Sequence, residues 1–177
     1  MRLLKNQAVA WLIAVVMIAA AIGIGWSRAN APGQGERPDP SQNVPGSSSS
    51  FVWDDAGVLS RSTIQKLDRR NEVLWRDHGV VIGVVTCDYG REDLYDHAWG
   101  LAEEMELSGC DMIVVLDISG ENYYLLAGSD LARDFTDQDC GDYAWEYMEA
   151  PFARGDYDKA VLKLTEALED WYDGYYR

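Results

Sequence analysis

The chain has 177 residues, a formal net charge of −15 and 47% hydrophobic residues. That charge excludes nucleic acid and anionic lipid head groups as partners, because both repel such a surface. Seven Trp and ten Tyr speak against a disordered chain.

Residues 1–7 carry Arg2 and Lys5, and residues 8–26 carry no charge at all. At helical rise that apolar run spans about 28 Å, close to the hydrocarbon core of a bilayer. The spacing predicts a single-pass anchor with its N-terminus cytoplasmic and everything after Trp26 outside. The alternative is a secretory signal cleaved at Ala29-Asn30-Ala31, and it too places the remainder outside the cytoplasm. Residues 27–50 hold four of the five prolines and end in four serines, which predicts a flexible spacer. The remaining 51–177 has the size of one domain. The first 50 residues contain four basic and two acidic groups, so the domain alone carries −17. A domain of that charge can attract cations or a protein partner with a basic surface.

Within the domain, Ser60 or Ser62 suits the cap of a helix running to about Asp77, with Ile64, Leu67, Leu74 and Trp75 inward and Gly79 as its stop. Val80 to Thr86 is a continuous β-branched run and reads as a buried strand. Glu92 to Leu107 reads as a helix with an inner stripe of Leu94, Ala98, Leu101, Ala102 and Met105, ended by Gly109. Met112 to Leu116 reads as a second buried strand. A Ser119–Asn122 turn then leads into a third strand over Tyr123–Ala127, making an antiparallel hairpin. A helix over Gln138–Glu149 is expected to stop at Pro151. Asp156 suits the cap of a last helix with Val161, Leu164, Leu168 and Trp171 inward. A right-handed crossover makes the first two strands parallel. The expected fold is α/β: a mixed sheet, a parallel pair plus an antiparallel strand, with helices packed on it.

These stretches carry a resemblance. Phe51 to Ser60, FVWDDAGVLS, is similar to the V-x-D-x-A-G-x-L-S opening of TPM domains. The family is named after a thylakoid-lumen protein, a photosystem II repair factor and a receptor-modulating membrane protein. Val80–Thr86 and Asp111–Asp117 resemble its two core strands, Asp134–Asp137 its L-T-D segment, and Pro151–Tyr157 its P-x-F-x-x-G-D-Y element. The resemblance covers nearly all of 51–177. It implies an extracytoplasmic domain acting in assembly or modulation; some plant members are acid phosphatases, and calcium binding has been described in the family. Two segments depart from the pattern: Gly109-Cys110-Asp111 stands where D-N-G or D-D-G is common, and Ala127-Gly128-Ser129-Asp130 where V-G-x-G-x-E is common.

Ligand sites of open α/β sheets favour the carboxyl ends of the parallel strands. That rim would gather Asp54, Asp88 and Asp117, the expected metal ligands for Ca²⁺ or Mg²⁺, since both ions prefer oxygen donors. The opposite end gathers the alternative set Asp111, Asp134 and Asp137. The same aspartates also suit caps, turns and a solvated edge. His78 and His97 read as surface or packing residues, and no nucleophile elbow, P-loop or dinucleotide fingerprint occurs. Cys87 lies beside Asp88, and a neighbouring carboxylate raises a thiol pKa rather than activating it. Cys87 and the Cys110/Cys140 pair fall at opposite strand ends, about 23 Å apart, so any bridge is expected between Cys110 and Cys140 with Cys87 free. The charge and the thinned acidic motif favour a membrane-tethered interaction or assembly module; the alternative is a weak, metal-assisted acid phosphatase.

Overall fold

A computed structural model describes residues 51–91 and 93–176. The expected anchor and spacer lie outside the described residues; among those described, no helix is long and apolar enough to cross a membrane.

Four strands form one sheet in the order β1-β2-β3-β4: β1 Val52–Asp54, β2 Ile82–Cys87, β3 Met112–Asp117 and β4 Asn122–Ala127. β1, β2 and β3 run parallel, and β4 returns antiparallel through the expected hairpin. β1 is an addition to the sequence reading. Three residues are too few to show a strand period, yet Phe51 O accepts from Val84 N at 2.8 Å and Val52 pairs with Val84. β2 begins two residues later than expected because Val81 N donates to the Asp111 carboxylate at 2.7 Å instead of to a strand.

Alternation along β3 divides the core. Met112, Val114 and Leu116 face α1 (Arg61–His78) and α5 (Tyr157–Tyr175), whereas Ile113 and Val115 face α2 (Leu94–Glu104). α1 starts at Ser60, whose side chain accepts from Thr63 N, and ends at Gly79 with φ +70°. Its buried stripe is Thr63, Leu67, Asn71 and Leu74; Ile64 and Trp75 are only half-buried. Asn71 replaces an apolar contact with a clamp: its amide nitrogen donates to Ile82 O at 2.9 Å and its oxygen accepts from Ile82 N at 2.8 Å. α2 is shorter than expected, because the chain leaves the helix at Met105 and Glu106 takes φ +57°. It closes tightly on the sheet over Gly83, where a Cβ would meet Met105 Sδ at 3.0 Å.

α3 (Asp137–Tyr143) opens on a reciprocal cap between Thr136 and Asp139. The helix then widens into a π-helical segment, Ala144–Glu149, and continues as α4 (Ala150–Phe152). The helix ends at Phe152, one residue beyond the expected stop at Pro151. A wide π turn displaces the carbonyl with which a proline ring would otherwise clash. Tyr123 on β4 anchors the segment by donating to Glu149 at 2.5 Å. α5 is capped by Asp156 as expected, but its buried stripe ends on Tyr172, leaving Trp171 at the half-buried flank.

Candidate functional site

Register places the expected rim together. Asp54 pairs with Thr86 and Cys87 with Asp117, so Asp54, Asp88 and Asp117 share the carboxyl end of the parallel strands. The carboxylates are then spent on the protein's own donors. Asp54 accepts from Val58 N at 3.0 Å, Leu59 N at 3.1 Å and the Thr86 hydroxyl at 2.6 Å, closing the turn that leads into α1. Asp117 is fully buried and accepts from Tyr89 N, Gly90 N, Gly120 N and the Ser119 hydroxyl at 2.8–3.2 Å. It binds the loops after β2 and β3 to each other. Only Asp88 of the three is exposed.

At the opposite end, Asp111 is buried and accepts from Val81 N and from Ser108 N at 2.6 Å. Burial raises its pKa, and the two backbone donors oppose that rise. Asp134 is exposed, accepts from Tyr175 at 3.3 Å and lies 3.9 Å from Arg133; Asp137 occupies the first turn of α3. Among the described residues, no group of three or more His, Cys, Asp or Glu side chains is arranged to hold a metal ion. Ca²⁺ takes six to eight oxygen donors; at this rim Asp54 and Asp117 already accept from protein donors, and Asp88 is the exposed carboxylate of the three.

The rim also holds Tyr89 and Arg91, which the sequence reading passed over, beside His97, which it gave a surface or packing role. Tyr89 stacks on His97 with ring centroids 4.0 Å apart, and the Arg91 guanidinium lies 5.5 Å above the Tyr89 ring. The Tyr89–Arg91 spacing puts the cation beside the ring, but nothing local signals the partnership with His97 across the loop. His78 pairs with Asp173 at 2.7 Å and stacks on Tyr176 with its side chain mostly covered, a packing role within the expected surface or packing reading. All three cysteines are free thiols. Burial, then the Asp117 charge, raises the Cys87 pKa, the reverse of what a nucleophile needs.

A mixed α/β sheet with Asp54 and Asp117 locked into the loops at the strand ends defines the class. A family model described as the TPM domain matches residues 52–171, and the chain belongs to that family. Two solved structures share the fold. The N-terminal domain of a protein from P. gingivalis is 22% identical with a TM-score of 0.66, covering 73% of this chain and 86% of that one. The N-terminal domain of a Corynebacterium glutamicum protein is 19% identical with a TM-score of 0.58, covering 72% of this chain and 83% of that one. No curated protein matches the sequence.

Proposed function

We propose that this chain is a membrane-tethered, extracytoplasmic TPM module that docks a partner protein through its acidic surface. The observation that carries the reading is the use of the rim carboxylates. Asp117 has four protein donors and Asp54 has three, so both are committed to loop structure. The domain as a whole carries a formal charge of −17, which steers basic surfaces and repels anionic substrates. Zero-length carbodiimide crosslinking on intact cells tests this, because it joins carboxylates to lysines in direct contact. The expected result is crosslinks from domain carboxylates to lysines of a second protein; crosslinks confined to the chain itself would overturn the reading.

A second reading is hydrolysis of phosphate esters, favoured by Arg91, which supplies positive charge at the rim. A p-nitrophenyl phosphate assay on the full chain, with Ca²⁺, Mg²⁺ or Mn²⁺ from acidic to neutral pH, separates the two. We expect no metal-dependent turnover. Turnover abolished by Asp54→Asn would establish the second reading instead.

A further inference from the structure

Between the π-helical segment and α5 lies a groove of about 430 Å³. Its walls are Tyr143, Tyr147 and Trp171, and Ala167 leaves its floor open. Glu166 and Asp170 stand along one side, with Lys163 at the end. The aromatic wall is braced from behind. Buried Phe135 meets Tyr143 edge-on at 5.0 Å and Trp171 at 4.8 Å, and Trp171 stacks on Tyr175 at 4.8 Å. Tyr147 leans on Tyr143 at 5.5 Å. These rings are held in place before anything binds, so little side-chain entropy is lost on contact. Carboxylates surround them: after burial and Tyr147, it is Asp139, Glu146 and Asp170 that raise the Tyr143 phenol. Among the described residues, neither Glu166 nor Asp170 makes an ion pair or a side-chain hydrogen bond within the chain.

We infer that this groove is the docking site for an arginine-bearing basic segment of a partner protein. A guanidinium stacks on Trp and Tyr faces and pairs with carboxylates through the same planar group, which matches both features of the groove. A segment fits better than a small amine. Lys163 to Asp170 spans about 10 Å along α5, the length of several residues rather than of one ammonium group. Tyr147 lies beside Tyr143, four residues before it, while Trp145 between them points out to solvent, 68% exposed. This inference rests on the docking reading above and names the surface that performs it.

The test is titration of the full chain, in detergent micelles, with a labelled peptide of alternating arginine and glycine. One-to-one saturation is expected. Ala167→Leu fills the floor without changing charge, Tyr147→Ala removes a wall, and the pair Glu166→Gln with Asp170→Asn removes the carboxylates. Each should weaken binding about tenfold. The pair Glu103→Gln with Glu104→Gln removes equal charge from exposed positions on α2 and should weaken it less than about twofold. Tyr147→Phe should restore binding, and unchanged thermal unfolding would show that the variants fold. A lysine–glycine peptide should bind several-fold more weakly. Equal losses from both charge pairs, with Ala167→Leu silent, would reduce the effect to diffuse attraction and overturn the groove. Tetramethylammonium displacing the peptide at equal concentration would overturn the assignment to a partner segment. Carbodiimide crosslinks to a second protein that persist in the Ala167→Leu chain would reject the groove while leaving the docking reading intact.

Discussion

At the end of β3, the Asp117 carboxylate takes four donors from two loops. Replacing Asp117 by Asn keeps a single acceptor oxygen and turns an NH₂ group toward backbone N–H groups. Asp117→Asn should therefore cost about 2–4 kcal/mol in urea unfolding, whereas exposed Asp88→Asn should stay within about 0.5 kcal/mol. Calcium should stabilise wild type and both variants no more than NaCl of equal ionic strength; an excess lost in either variant would restore the cation site. Cysteines permit a second check at this scale. Burial pushes the Cys140 thiol up to about 12, and burial also leads the causes that raise Cys87 and Cys110. At mildly alkaline pH, iodoacetamide should reach the half-buried Cys87 and Cys110 slowly and Cys140 only after unfolding; early labelling of Cys140 by mass mapping would contradict its placement. The sequence put the right aspartates at the right strand ends, because strand direction determines that much. It offered caps and turns beside a cation site for Asp54 and Asp117 and could not choose between them, since most of their donors are backbone N–H groups, which leave no trace in side-chain identity.

Elements are joined by polar contacts that apolar periodicity does not reveal. Asn71 occupies an inward position of α1 and holds both backbone groups of Ile82. Asn71→Leu would leave that N–H and C=O buried without partners and should cost about 2–3 kcal/mol, measured as a shifted urea midpoint. Asp158 ties α5 to the start of α1 by accepting from Ser60 N at 2.8 Å. Burial works to raise its pKa, but hydrogen bonds from Ser60 and Thr63 and the Lys66 charge outweigh it, and the net shift is downward. A depressed carboxylate contributes stability that is present above its unfolded value, about 3.9, and lost as pH falls through the folded one. Asp158→Asn should therefore destabilise at neutral pH and converge with wild type in acid. Asp111 has the opposite sign: raised by burial, it favours the fold below the ordinary carboxylate value and loses that contribution as pH climbs through its higher one. Caps at Ser60, Gly79 and Asp156, and the buried runs of β2 and β3, were readable because each has its own local chemistry. β1 and the π-helical segment were not. One is too short to show a period, and the other depends on tertiary contacts such as Tyr123 to Glu149.

On the scale of the whole molecule, sequence and fold divide the chain into parts with different demands. Residues 52–171 match the TPM domain and contain the sheet and nearly all of its packing. The uncharged 8–26 run and the Pro/Ser-rich 27–50 stretch precede them. In the proposed arrangement, the spacer holds a domain of −17 away from an anionic lipid surface that would repel it, and leaves the docking groove free to meet partners. External protease applied to intact cells should then cut within the Pro/Ser-rich 27–50 stretch and release a fragment that still unfolds cooperatively. Trypsin cuts after arginine and lysine, so its sites in that stretch are Arg28 and Arg37. Pro38 follows Arg37 and disfavours cleavage there, which leaves Ala29 as the expected new N-terminus. N-terminal sequencing of the released material therefore reads the topology directly. Fragments beginning at Ala29 from intact cells place the domain outside. Protection of both arginines until lysis would place it inside and remove the extracytoplasmic docking reading with it.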